Sequence, residues 1–150
     1  MRYLLDSDSL SELYRPEASG HAVISQRLTA LREADQIVIS ILSVYESEYG
    51  FANAPMEKRA EIRRRISHMQ ARFEVLPLTP EAARLFGSLK AGLSKVRRLS
   101  SKGSKLHNID VMLAAAAITE DCTLVSGDSI YGDLQKIDPM LKIEDWLVTP

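Results

Sequence analysis

The strongest constraint on this chain is a set of short apolar runs that lack polar alternation and stop abruptly at polar or acidic residues. Arg2-Tyr3-Leu4-Leu5 runs into Asp6-Ser7-Asp8-Ser9, Ile37-Val38-Ile39 ends at Ser40, and Cys122-Thr123-Leu124-Val125 ends at Ser126-Gly127-Asp128. A strand covered on both faces reads this way, because neither set of alternating side chains meets water. Segments of helical periodicity separate the runs. The expected fold is therefore a three-layer α/β/α domain with a mainly parallel central sheet. Ligands of such sheets bind just beyond the carboxyl ends of the strands, which gives Asp6 and Asp128 a functional weight that a surface acid lacks.

Between the strands, residues 7–14 read as a short helix ended by Pro16. Ser9 and Glu12 have capping-box spacing, so capping there does not require Asp6. Residues 21–32 carry Val23, Ile24, Leu28 and Leu31 at helical spacing, and residues 41–53 place Ile41, Leu42, Tyr45, Tyr49 and Ala52 on one apolar face. Pro55 opens a charged helix to Arg72 with Ile62, Ile66, Met69 and Phe73 as its seam. Pro77 demotes 75–78 to an edge strand. Thr79 caps a helix from Pro80, with Leu85, Phe86 and Leu89 turned inward. Residues 108–118 are apolar on every side after Asp110, which marks a buried helix with Asn108 as its N-cap, and 141–146 forms a last strand holding Ile143 and Trp146.

With 150 residues the chain fits one domain, 1–150, large enough to need no staples, and its single Cys122 cannot form an internal disulfide. The longest apolar run, 111–118, is too short to cross a bilayer, and Asp6 interrupts any signal-peptide core. A cytoplasmic protein is expected. Although the formal net charge is only -1, residues 82–109 contain Arg84, Lys90, Lys95, Arg97, Arg98, Lys102 and Lys105 without one acid. Within that stretch, 99–105 is small, polar and centred on Gly103, the composition of a mobile loop.

Two further acids stand out. Asp110 opens the apolar helix, where the helix dipole alone favours a carboxylate by about 0.3–1 kcal/mol. A charge beside so much apolar protein also calls for a cation or a hydrogen-bonding partner. Glu46 and Glu48 lie about 200° apart around their helix, so they cannot act at the same place.

Taken together, these residues resemble the PIN-domain ribonucleases, most closely the VapC-type toxins of toxin-antitoxin pairs. Leu4-Leu5-Asp6-Ser7-Asp8-Ser9-Leu10-Ser11-Glu12-Leu13 is similar to the family's opening, an apolar strand followed by Asp-Thr-Asn and a short helix. The stretch from Ile39 to Gly50 resembles the segment in which a Glu precedes a Gly by four residues, which selects Glu46 over Glu48. Asn108 to Ile118 is similar to the family's Asp followed by an Ala-rich helix, giving Asp110. Leu124-Val125-Ser126-Gly127-Asp128 resembles the strand ending in Thr-Asn-Asp, giving Asp128, and Leu141-Lys142-Ile143-Glu144-Asp145-Trp146 looks like the usual ending. Asp8 and Gly127 stand where the family has Asn, Ser7 and Ser126 where it has Thr, and Tyr131 is the nearest aromatic after the fourth acid.

The resemblance implies a PIN-like domain acting as an endoribonuclease, with a small cognate antitoxin and a homodimer as partners. Gathered carboxylates about 4 Å apart repel by roughly 4 kcal/mol per pair at an effective dielectric of 20, so such a cluster invites protons or divalent ions. Oxygen ligands without His or Cys favour magnesium or manganese, which activate water and offset charge on a phosphodiester. Asp6 and Asp110 are expected as principal ligands, and Glu46 and Asp128 as further ligands or water-orienting bases. Arg97, Arg98, Lys102 and Lys105 would hold the RNA backbone against this acidic pocket.

Two other functions fit parts of the pattern. A haloacid-dehalogenase-like phosphatase would use Asp6 as nucleophile, Asp8 as acid/base, Ser40, Lys102 or Lys105, and Gly127-Asp128 with Asp133, but would leave Glu46 and Asp110 without roles. A catalytically silent protein would keep the fold and only hold RNA or a partner.

Overall fold

A computed structural model describes residues 1–98 and 101–148. Its five strands are β1 (Arg2–Leu5), β2 (Gln36–Ser40), β3 (Glu74–Leu76), β4 (Thr123–Val125) and β5 (Lys142–Glu144). All pair in parallel, in the order β3-β2-β1-β4-β5. β1 is central, with Leu4 opposite Val38 on one side and Leu124 on the other. The helices are α1 (Ser7–Tyr14), α2 (His21–Thr29), α3 (Ile41–Asn53), α4 (Met56–Arg72), α5 (Pro80–Arg97), α6 (Ser101–Lys105), α7 (Asn108–Thr119) and α8 (Ile130–Ile137).

The period-two alternation of β1 splits the core. Leu4, Val38 and Leu124 pack with Leu89 and Leu93 of α5, the alanines of α7 and Leu134 of α8. Tyr3, Leu5, Ile39 and Val125 face the other way, onto Leu10 and Leu13 of α1, Ile24 of α2, Ile66 and Met69 of α4, and Trp146. Two covered faces explain why the strands carry no polar alternation. No helix among the described residues is long and apolar enough to cross a membrane.

Several local expectations are corrected. α2 stops at Thr29 rather than 32. Tyr45 and Tyr49 are 67% and 74% exposed, whereas Leu42, Ser43 and Val44 are buried, because α3 meets the sheet only through its first turn and then runs along α4. Part of the expected loop 99–105 is the short helix α6; Leu99 and Ser100 lie outside the described residues. His107, not Asn108, is the cap position of α7, and it makes no side-chain capping bond. The capping box of α1 does not form. Asp6 itself caps the helix, while the Ser9 hydroxyl donates to Val125 O at 3.2 Å and Glu12 accepts from Gly20 N at 2.7 Å.

Candidate active site

Because every strand runs the same way, the segments leaving β1, β2 and β4 emerge at one edge of the sheet. Asp6 is the first residue past β1, Glu46 lies in the second turn of α3 directly after β2, and Asp128 follows β4. Asp110 arrives from the opposite direction. It sits in the first turn of α7, the helix that returns the chain to β4, so the start of α7 faces the same edge.

Each acid is held by local chemistry. Asp6 is 5% exposed, its backbone N–H donates to Val125 O at 3.2 Å, and its Oδ1 accepts from Ser9 N at 2.7 Å. Asp128 Oδ1 accepts from Ile130 N at 3.0 Å, and the Asp128 N–H donates to Ser126 Oγ at 3.1 Å. Gly127 passes so close to Asp145 that a Cβ would stand 3.0 Å from its Oδ2, leaving room at this turn for no larger residue without displacing that carboxylate. On the other side of Asp6, the Ser7 and Ser43 hydroxyls lie 3.0 Å apart and join α1 to α3 beside Glu46. Asp110 Oδ1 accepts from the Tyr131 hydroxyl at 3.4 Å, and its Oδ2 lies 3.5 Å from His107 Nδ1.

Electrostatics tie these groups together. Asp6 is raised above the ordinary carboxyl range, chiefly by burial; the Ser126 and Ser9 hydroxyls and the Ser9 N–H oppose the shift, and the charge of Asp8 adds to it. Glu46 stands at the solvent edge, yet partial loss of water raises it, eased by the Ser7 hydroxyl and reinforced by Asp8, Asp110 and Asp6. Asp110 is raised by burial and then by Asp128, with His107 and Tyr131 pulling it back. Among the described residues no Lys or Arg forms an ion pair with Asp6, Asp8, Glu46, Asp110 or Asp128.

A cleft lined by Asp6, Asp8, Ser9, Gly127, Asp128, Asp145 and Leu147 opens at this edge. A groove between α1, α3 and α4 starts from Ser7, Asp8, Ser43 and Glu46 and is floored by Leu10, Ile62, Ile66 and Met69. Asp145 and Tyr131 were not singled out as site residues from sequence. Tyr131's one signal was its place three residues after Asp128. No three His, Cys, Asp or Glu side chains among the described residues stand in an arrangement that could hold an ion as they are. Their chemistry nonetheless suits a hard divalent cation: the donors are oxygens, and their charges raise one another's proton affinity.

The cationic candidates form no ion pair with these acids among the described residues, and they are not equivalent. Arg97, one of the residues expected to hold the RNA backbone, pairs with Asp133 of α8 at 2.8 Å, where α5 packs against α8. Arg98 is exposed at the end of α5 with φ 50°, and Lys102 and Lys105 are exposed on α6. The positions a phosphatase would need are otherwise engaged. Ser40 Oγ accepts from Leu42 N at 3.1 Å as the cap of α3, and Asp133 is shared by Arg97 and, at 3.1 Å, Lys136.

Comparison with known proteins agrees with this architecture. A family model described as PIN domain matches residues 3–137. Ribonuclease VapC2 of Rickettsia felis is 25% identical over 119 residues, 79% of this chain and 81% of that protein. The structure of VapBC2 from Rickettsia felis bound to a DNA fragment from their promoter contains a chain that superposes with a TM-score of 0.77 at 20% identity, covering 97% of this chain and 99% of that one. A chain of VapBC-1 from nontypeable Haemophilus influenzae also reaches 0.77, at 22% identity over 99% and 100% of the two chains. For FitAcB from Neisseria gonorrhoeae the values are 0.76 and 19%, over 98% and 99%.

Proposed function

The chain belongs to the PIN-domain family, and from that premise we propose that it is a single-domain, metal-dependent endoribonuclease, the toxin of a toxin-antitoxin pair acting on RNA in the cytoplasm. The observation that carries this reading is the meeting of Asp6, Glu46, Asp110 and Asp128 at one sheet edge, with no Lys or Arg paired to them among the described residues. Asp6 and Asp110 would hold a magnesium ion, with manganese as a substitute. Such an ion, when bound, supplies a more acidic water and a counter-charge for the phosphodiester.

The side chains themselves do the orienting. The Ser9 N–H fixes Oδ1 of Asp6, and the Ser126 and Ser9 hydroxyls also favour its charged form. Glu46 and Asp128 belong to the same edge and are suited to accept a proton from an attacking water, since neither forms an ion pair with Lys or Arg among the described residues. Arg98, Lys102 and Lys105 would steer the polyanionic backbone, with Arg97 bracing α5 through Asp133.

A small cognate antitoxin is the expected partner, in keeping with the VapBC complexes that contain chains of this fold. A homodimer is supported by exposed Tyr45, Tyr49 and Leu78, which a second copy would cover. The test is incubation of the purified protein with total RNA, with and without magnesium, beside Asp110→Asn. Magnesium-dependent cleavage lost in the variant is the expected result. A hydroxylamine-sensitive phosphate adduct on Asp6 would instead establish the phosphatase.

A further inference from the structure

Tyr131 is 1% exposed, yet it ends in a polar atom. A phenol buried in a low-dielectric core must find an acceptor, because an unsatisfied hydroxyl there is costly. The one hydrogen bond this hydroxyl makes among the described residues goes to Asp110 Oδ1, at 3.4 Å. At 3.4 Å the bond is long for one between oxygens, so the hydroxyl stands at the limit of its reach to that carboxylate. Nothing in the packing of α8 demands a hydroxyl at that place: Ile130 and Leu134 fill the same apolar cluster with hydrocarbon alone.

The first turn of α8 touches the acidic edge twice. Ile130 N, the first of the helix, donates to Asp128 Oδ1 at 3.0 Å, and Tyr131, one residue further on, reaches Asp110. Of the neighbouring acids, Asp128 is the one whose charge bears most on Asp110. One short segment therefore sets the position of both. Toward an ionised carboxylate, which has no proton to give, the phenol hydroxyl is the donor.

We propose that Tyr131 is a positioning residue for divalent-ion binding: its hydroxyl on Oδ1 of Asp110, opposite His107 Nδ1 near Oδ2, holds the carboxylate in the orientation in which it shares the ion with Asp128. This rests on the carboxylate edge being the ion site. An outer partner of this kind changes metal affinity without touching the metal or the substrate.

The test uses Tyr131→Phe, which removes a single oxygen and leaves the ring in place. Manganese binding to wild type, Tyr131→Phe and Asp110→Asn is measured by electron paramagnetic resonance, and RNA cleavage is followed as magnesium is raised. The variant is expected to bind manganese about tenfold more weakly, the low end of the range for outer-shell partners. Its half-saturating magnesium should rise in parallel, while its rate at saturating magnesium stays within about twofold of wild type, since the hydroxyl meets no reacting atom. Unchanged manganese affinity in Tyr131→Phe, with wild type binding and Asp110→Asn not binding, overturns the role of Tyr131 and leaves the ion site intact. A wild type that binds no manganese overturns both.

Discussion

The two edges of the central sheet treat their acids in opposite ways. At the amino edge, Glu74 meets Arg2 at 3.0 Å, Asp121 meets Lys142 at 2.7 Å, and Asp35 meets Arg32 at 3.0 Å. Each of those acids has a cation, and Arg32 and Lys142 hold Asp35 and Asp121 below the ordinary carboxyl range. At the carboxyl edge, Asp6, Glu46 and Asp110 are raised instead, by burial and by neighbouring acids. The same residue types over the same sheet thus stand in two electrostatic settings. Acids that only hold the fold are paired, whereas the carboxyl-edge acids keep a repulsion that a bound cation would relieve.

The contrast is broken most severely by exchanging charge for shape at one edge at a time. Asp6→Asn preserves the helix cap, because Asn caps as well as Asp, but removes a charge from the cleft. RNA cleavage should fall by roughly a hundredfold or more, the scale of losing a direct metal ligand rather than an outer partner. Asp121→Asn at the opposite edge should leave cleavage within about twofold, since distant sites act independently. Equal losses in a side-by-side cleavage assay would mean that the two edges do not differ in function.

A second effect appears in stability against pH. Asp110 is raised in the folded chain, so the folded state holds a proton that the unfolded state releases. The resulting penalty is complete above the folded value and absent below the ordinary Asp value of about 3.9. Asp110→Asn should therefore melt higher than metal-free wild type at neutral pH, by roughly 2–4 °C for each kcal/mol relieved in a chain of this size. The difference should vanish in acid. For Asp121, which is lowered, the sign reverses: Asp121→Asn should melt lower than wild type at neutral pH, and the gap should close as the pH falls through the carboxyl range. Melting curves across pH for both variants check the pair.

The smallest change is expected on the cationic side. Replacing Lys102 and Lys105 with Ala should weaken RNA binding almost uniformly across sequences and make it less salt-dependent, by about one unit of log–log slope for each phosphate no longer neutralised. Binding titrations at several salt concentrations read this directly. An unchanged slope would remove α6 from the substrate path.

The sheet was legible from sequence because strands covered on both faces leave unalternated runs, and Leu4, Val38 and Leu124 are indeed fully buried. Asp6 and Asp128 followed from those strand ends. Glu46 and Asp110 did not, since each lies on a helix, and the order of motifs along the chain singled them out. Periodicity misplaced Tyr45 and Tyr49 because it marks an apolar stripe without saying whether anything covers it; α3 leaves the sheet after one turn. Two competing caps were spelled at α1, and the tertiary bond from Ser9 to Val125 O decided in favour of Asp6. The Arg97–Asp133 pair joins residues far apart in sequence, so no local rule could have separated Arg97 from Arg98.

The most direct test of the central claim is the shift in melting temperature on adding magnesium to wild type, Asp6→Asn and Asp121→Asn. An ion bound only to the folded state at a hundred times its dissociation constant stabilises by about 2.7 kcal/mol. Wild type and Asp121→Asn should rise together by several degrees, and Asp6→Asn should not move. A rise in Asp6→Asn equal to that of wild type, or no rise in wild type, would contradict the account.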